Sequence, residues 1–246
     1  MMNARTDEPQ IELKDAPLDD TVLVACPTYS GLEGCLDEYL DAYAAFRWPH
    51  RKLLLVDNSD GPEYARSIKE KVAKVGGEVK HIQPSSDWED TFSRAWQVIA
   101  THAKWNGYTW ILSLEQDVIC PPLTVDTLLN VAGYVKAPFV THTYPYHNGK
   151  PGFYQGLGCT LFRTELMCYA LDYTYTRIPA VEGAIYDAAK RNSHVVLHRL
   201  LDIKHLDTRT GTWAFAGGTT SDEIAVGIEQ SFPDMRRDGV GQDVRA

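Results

Sequence analysis

The sequence predicts one α/β domain with a mostly parallel central sheet flanked by helices, and three observations carry that expectation. Short apolar, partly β-branched runs alternate with segments of helical periodicity, which is the pattern of repeated βα units. Each early run ends in a cluster of Gly, Pro, Ser, Asn or Asp, the residues that turn a chain. With 246 residues, 44% of them apolar, the chain is long enough to bury a core without disulfide or metal staples.

The elements follow in order. Residues 1–20 hold two prolines and little periodicity and are expected to form a flexible leader. TVLVAC (residues 21–26) reads as the first strand, stopped by Pro27, and residues 32–48 read as a helix with Leu36, Leu40, Tyr43 and Phe46 on one face. KLLLV (52–56) is the second strand; after DNSDGP comes a helix over 63–75, ended by Gly76 and Gly77. A third strand over 78–83 leads through SSDWED, with its capping Ser and Asp residues, into a helix over 88–104. YTWILSL (108–114) is the fourth strand and runs into Glu115-Gln116-Asp117. Beyond Pro121 and Pro122 the expectation is a helix to residue 135, strands over 137–144 and 158–162, a helix over 182–191 and a strand over 194–200. The folded domain is placed at residues 21–209, and residues 210–246, rich in Gly, Asp and Thr, are expected to be a C-terminal tail or lid.

Composition excludes several classes. No apolar stretch approaches the roughly 18 residues that span a bilayer, and the acidic N-terminus lacks a signal-peptide core, so a cytoplasmic location is expected. Five cysteines without a C-x-x-C pair make neither a disulfide framework nor a zinc cluster. The net charge of −9 is uneven: residues 1–20 hold six acids and two bases, and residues 210–246 hold six acids and three bases. The remainder is close to neutral, so the global charge says little about any cleft.

Ligands of open parallel sheets bind beyond the carboxyl ends of the strands. Those ends read Pro27-Thr28-Tyr29-Ser30-Gly31, Asp57-Asn58-Ser59-Asp60-Gly61, Ser85-Ser86-Asp87 and Glu115-Gln116-Asp117. Carboxylates gathered on one edge repel each other unless a cation lies among them, and an oxygen-rich set suits a hard divalent ion that also holds phosphates. A metal-bound nucleotide is the implied ligand.

The series VLVACPTYSG, LLLVDNSDG and WILSLEQDV, followed by GCTLFRTELM and PAVEGAIYDAAKRNSHVVLHRLLDIKH, resembles the family 2 glycosyltransferases of GT-A (Rossmann-like) fold, over residues 21–207. The resemblance implies that Pro27, Thr28, Tyr29 and Gln116 belong to the donor site and that Asp57 hydrogen-bonds the base or ribose. Asp117 matches the last metal-binding Asp of the family's D-x-D, Glu115 stands at its first position, toward ribose or metal, and His205 matches the His that completes the metal shell. Mn2+ or Mg2+ is the implied cofactor. Glu182 stands where the family carries its catalytic base, with Val181 before it in place of the usual pair of acids, and Arg94 matches a basic position near phosphate or sugar.

The implied reaction moves a sugar from a nucleoside diphosphate sugar, with a UDP-sugar the expected donor, to an acceptor hydroxyl with inversion. The acceptor stays open among a small molecule, a glycan, a protein and a modified nucleic-acid base. Two alternatives stand beside it. A nucleotidyltransferase shares the architecture, although PTYSGLEGC lacks the Arg or Lys of its phosphate loop. A noncatalytic module that binds sugar nucleotides or glycans is the other. Bland readings also stand: Asp57 as a turn cap, Glu182 as a first-turn acid at a helix dipole, His205 as a satisfied histidine, Arg94 as part of a solvated helix face. His142, Tyr144, Tyr146 and His147 line an acceptor pocket or simply pack, and Trp88 and Trp96 read as core.

Overall fold

The computed structural model describes residues 20–145, 153–154, 157–167, 194–198, 200–207, 212–215 and 227–231. Three βα units open the fold: β1 (Val22–Thr28), α1 (Leu36–Ala45), β2 (Arg51–Asp57), α2 (Glu63–Lys74), β3 (Glu78–His81) and α3 (Trp88–Trp105). Then come β4 (Trp110–Leu114), β5 (Val118–Ile119), α4 (Thr124–Val135), β6 (Phe139–His142), β7 (Tyr144–Pro145), β8 (Phe153–Tyr154), β9 (Cys159–Arg163) and β10 (His194–His198). β11 (Lys204–Asp207), β12 (Thr212–Phe215) and β13 (Gly227–Ser231) follow.

The central sheet has eight strands in the order β13-β10-β6-β9-β4-β1-β2-β3. β1 pairs parallel with β2 and β4, β2 with β3, and β6 with β10, whereas β9 is antiparallel to both β4 and β6 and β13 is antiparallel to β10. Two small sheets accompany it, β12-β11-β5 and β7-β8. β12 and β13 lie in the segment that composition alone assigned to a tail or lid; β12 pairs with β11, close to it in sequence, whereas β13 pairs with the much earlier β10, which local pattern does not reveal.

Side chains alternate between two cores, as a strand period of two requires. Val22, Val24, Cys26, Leu53, Leu55 and Leu112 face α1, α2 and α4, while Leu23, Ala25, Leu54, Val56 and Ile111 face α3. Helices on both faces make the strands of the middle fully apolar. The α3 face is sealed by Trp96, Phe162 and Phe139, all fully buried, with ring centroids 6.3 Å apart for each successive pair.

Local chemistry sets the element ends. Asp87 caps α3, its carboxylate accepting from the Glu89 backbone N–H at 3.0 Å. α2 ends at Gly76, whose φ of 78° is the left-handed conformation that glycine takes without steric cost. The helix expected from residue 32 opens instead with a 3-10 segment, Ser30–Cys35, and becomes α-helical at Leu36; Gly31 and Gly34 lower helix propensity there. The helix expected over 182–191 lies outside the described residues. No helix among the described residues is long and apolar enough to cross a membrane.

Phe162→Ala removes the middle ring of the aromatic seal, and a loss of about 3–5 kcal/mol is expected in urea unfolding, with the parallel strands still folded at low urea.

Candidate functional site

The parallel register decides where the polar strand ends meet. Thr28 stands opposite Asp57, and β4 lies on the other side of β1, so Glu115-Gln116-Asp117 leaves the sheet beside Pro27-Thr28-Tyr29. Between them is a cavity of about 310 Å³. Its walls come from Pro27, Thr28, Tyr29 and Leu32 on one side, from Asn58 after β2, from Phe92 and Trp96 on α3, and from Glu115, Gln116 and Asp117. Of the residues that the sequence assigns to donor or metal, five of the β1 and β4 ends and Asp117 thus share one cleft.

Gln116 builds the floor. It is fully buried, its Oε1 accepts from the Thr28 hydroxyl, and its Nε2 donates to the Leu32 carbonyl at 2.9 Å. Thus one side chain ties β1, the 3-10 segment and the end of β4 together. A second tie is Tyr39, whose buried hydroxyl donates to the Leu114 carbonyl at 3.1 Å.

Asp57 is fully buried, and the cavity is lined by its neighbour Asn58. Its Oδ1 accepts from the Ser59 N–H at 3.0 Å and the Ser59 hydroxyl at 2.6 Å, and its Oδ2 meets His81 Nδ1 at 2.9 Å. The geometry is that of a turn cap: the carboxylate organises the loop that presents Asn58 to the cavity.

Asp117 comes from the turn between β4 and β5, and His205 from β11. β11 pairs antiparallel with β5, placing His205 opposite Val118, and the Leu206 N–H donates to the Asp117 carbonyl at 2.8 Å. The side chains face each other with His205 Nε2 3.6 Å from Asp117 Oδ2. That distance exceeds a good hydrogen bond, yet two donors bound at ~2.1 Å to one ion stand within about 4 Å of each other. A carboxylate and an imidazole are donor types that would suit Mn2+ or Mg2+. Among the described residues, no three His, Cys, Asp or Glu side chains form a protein-only metal cluster.

Tyr144 is the residue whose importance the sequence leaves open. Fully buried, it sets its ring edge-on to His205 with centroids 5.1 Å apart, and its hydroxyl accepts from the Gly158 N–H at 3.1 Å and approaches Glu115 Oε2 at 3.5 Å. It thereby touches both Glu115 and His205. His142 is different: its Nδ1 meets the Thr143 carbonyl at 2.6 Å and its Nε2 accepts from the Leu201 N–H at 3.0 Å, which makes it a neutral, internally satisfied core histidine. Tyr146, His147 and Glu182 lie outside the described residues.

Arg94 does not join the cleft. α3 turns Phe92 and Trp96 to the cavity, and a residue two positions from each lies roughly 200° around the helix; Arg94 lines a separate groove with Lys80 and His102. The nearby thiols of Cys26 and Cys35 are buried. Burial, with Asp117 adding to it, pushes Cys35 up to about 12, and burial drives Cys26 higher still, so both remain protonated at neutral pH.

No protein-family model matches this sequence, and no curated protein matches it. Among solved structures, the chain is similar to S. aureus TarS 1–349, with a TM-score of 0.51 and 14% identity over 70% of this chain and 56% of that one. TarS 1–349 in complex with UDP gives a TM-score of 0.50 at the same identity and coverage. The mannosyltransferase PcManGT of Pyrobaculum calidifontis, in complex with GDP-Man and Mn2+, gives 0.47 with 15% identity over 63% of this chain and 48% of that one. The chain thus spans less than two thirds of the length of each. The likeness is one of fold: an α/β domain of GT-A type with a mostly parallel central sheet flanked by helices.

Gly158 tests how tightly the site is held. A Cβ there would stand 2.4 Å from Tyr144 Cζ, in a buried ring with nowhere to retreat. Gly158→Ala is expected to cost about 1–3 kcal/mol in urea unfolding and to shift the His205 imidazole resonances. Asp57→Ala, which leaves the Ser59 donors and His81 without their acceptor, is expected to cost a similar ~1–3 kcal/mol with no nucleotide present.

Proposed function

We propose that this protein is a metal-dependent glycosyltransferase that moves a sugar from a nucleoside diphosphate sugar to an acceptor hydroxyl. The observation that carries the reading is the cleft at the carboxyl edge of the sheet, where Thr28, Asn58 and Gln116 face Glu115 and the Asp117–His205 pair. It is the place where an open α/β sheet binds nucleotides, and a fold of this type is known in complex with UDP in TarS 1–349, which supports a UDP-sugar as donor.

In this reading Pro27, Thr28, Tyr29 and Asn58 hold the nucleoside, and Asp57 fixes their loop through Ser59. Asp117 and His205, with Glu115 beside them, hold Mn2+ or Mg2+. The ion, when bound, offsets the charge that develops on the leaving diphosphate. Tyr144 keeps Glu115 and His205 in position. The acceptor oxygen attacks C1 of the sugar, the bond from C1 to the phosphate oxygen breaks with its electron pair leaving on the diphosphate, and Glu182 takes the acceptor proton. Attack opposite the leaving group inverts the anomeric centre.

With Mn2+ and a panel of UDP-sugars, transfer or slow donor hydrolysis is expected in the wild type. Asp117→Ala should lower it by about 10²–10³-fold, and Glu182→Gln should abolish transfer while retaining UDP binding. Full activity in both variants would overturn the assignment, and the anomeric proton coupling of the product reports inversion directly.

A further inference from the structure

A second cavity, about 590 Å³ in volume, lies on the far side of α3 from the cleft, between that helix and the edge strand β3. Arg94, Val98, Thr101 and Trp105 recur along it at helical spacing, so they form one stripe, and Lys80 and Ile82 close the other wall. Among the described residues no carboxylate lines it, although the chain as a whole carries −9. Two features mark it as more than a surface dent. The Lys80 ammonium donates to His102 Nδ1 at 2.9 Å, which joins two basic side chains in the wall and leaves the other Lys80 protons free to meet an anion. Trp105, one turn from His102, is 85% exposed, an unusual place for the largest apolar side chain.

We propose that this groove binds an anionic saccharide, with one acidic group held by Lys80 and His102, a sugar ring laid on the Trp105 indole, and a second acidic group at Arg94. Eight residues of helix separate Arg94 from His102, or ~12 Å, so the ligand spans at least two sugar units. Gln97 and Thr101 between them offer hydrogen bonds to hydroxyls, and Ile82 and Val98 give the apolar floor that small-molecule sites share. A nucleic acid is the less suitable polyanion, since one indole and three basic groups on an acidic chain give little of the phosphate neutralisation that such binding requires.

The state of His102 supplies an independent readout. Burial first, then Lys80, pushes its pKa down, while Glu78 at the start of β3 pulls it up and the Tyr108 ring stacks on it at 6.1 Å. An anion held beside Lys80 and His102 offsets the Lys80 charge and favours the imidazolium, so the titration midpoint rises.

The test is a titration of the full chain, labelled at His and Trp, with trigalacturonate, followed by NMR. Trigalacturonate is expected to shift the Trp105 indole N–H and move the His102 midpoint to higher pH, and uncharged maltotriose to bind at least tenfold more weakly. The double variant K80Q/R94Q should lose at least tenfold in affinity and Trp105→Ala at least fivefold, all three being surface positions whose fold is checked by circular dichroism. Asp117→Ala, which disables the cleft, should bind trigalacturonate like the wild type, so this inference stands or falls apart from the transferase reading. Equal binding of maltotriose, undiminished binding by K80Q/R94Q, or tighter binding of oligothymidylate of equal charge would overturn it.

Discussion

The register of β1 between its two parallel neighbours sets where the polar strand ends meet. Thr28 opposite Asp57, and Ala25 opposite Ser113, bring the last residues of three strands to one edge at one level. A slip of one residue would turn Leu23, Ala25, Leu54 and Val56 away from α3 and drive their neighbours into it, so both cores enforce the register at once. Nothing in the polar loops themselves has to specify where they meet.

That apolar frame leaves polar groups at its rim, and each is held by a short chain of hydrogen bonds. Gln116 binds Thr28 and Leu32; Asp57 binds Ser59 and His81; Tyr144 bridges Gly158, Glu115 and the face of His205. Buried acceptors and donors with partners rigidify a site, whereas the same groups unpaired would cost more than they return. The cleft is therefore preorganised before any ligand enters, with the Asp117–His205 pair assembled by strand pairing between β5 and β11.

Much of this was legible in the residues. Apolar runs ended by Pro27, Asp57 and Glu115 mark strands whose carboxyl ends face a ligand, because strand period and turn chemistry are local properties. Tyr144 was ambiguous because its role depends on contacts with Gly158, Glu115 and His205, 14 to 61 residues away, which no local pattern encodes. Arg94 was assigned by motif position, and helical phase carries it to the opposite side of α3 from Phe92 and Trp96. Gly, Asp and Thr content marks residues 210–246 as a tail or lid, yet β12 pairs there with β11 and β13 with β10; β13, GIEQS at a sheet edge, carries one large apolar residue and so gives little local signal.

In the proposed function Asp117 and His205, carried by separate segments, would hold one divalent ion together with a nucleoside diphosphate. Calorimetric titration of UDP with and without Mn2+, on the wild type and on His205→Ala, tests it most directly. Mn2+ is expected to tighten UDP binding at least tenfold in the wild type, and His205→Ala to lose this gain while keeping the metal-free affinity. Equal UDP affinity with and without Mn2+, or a metal-dependent gain that survives in His205→Ala, would contradict it.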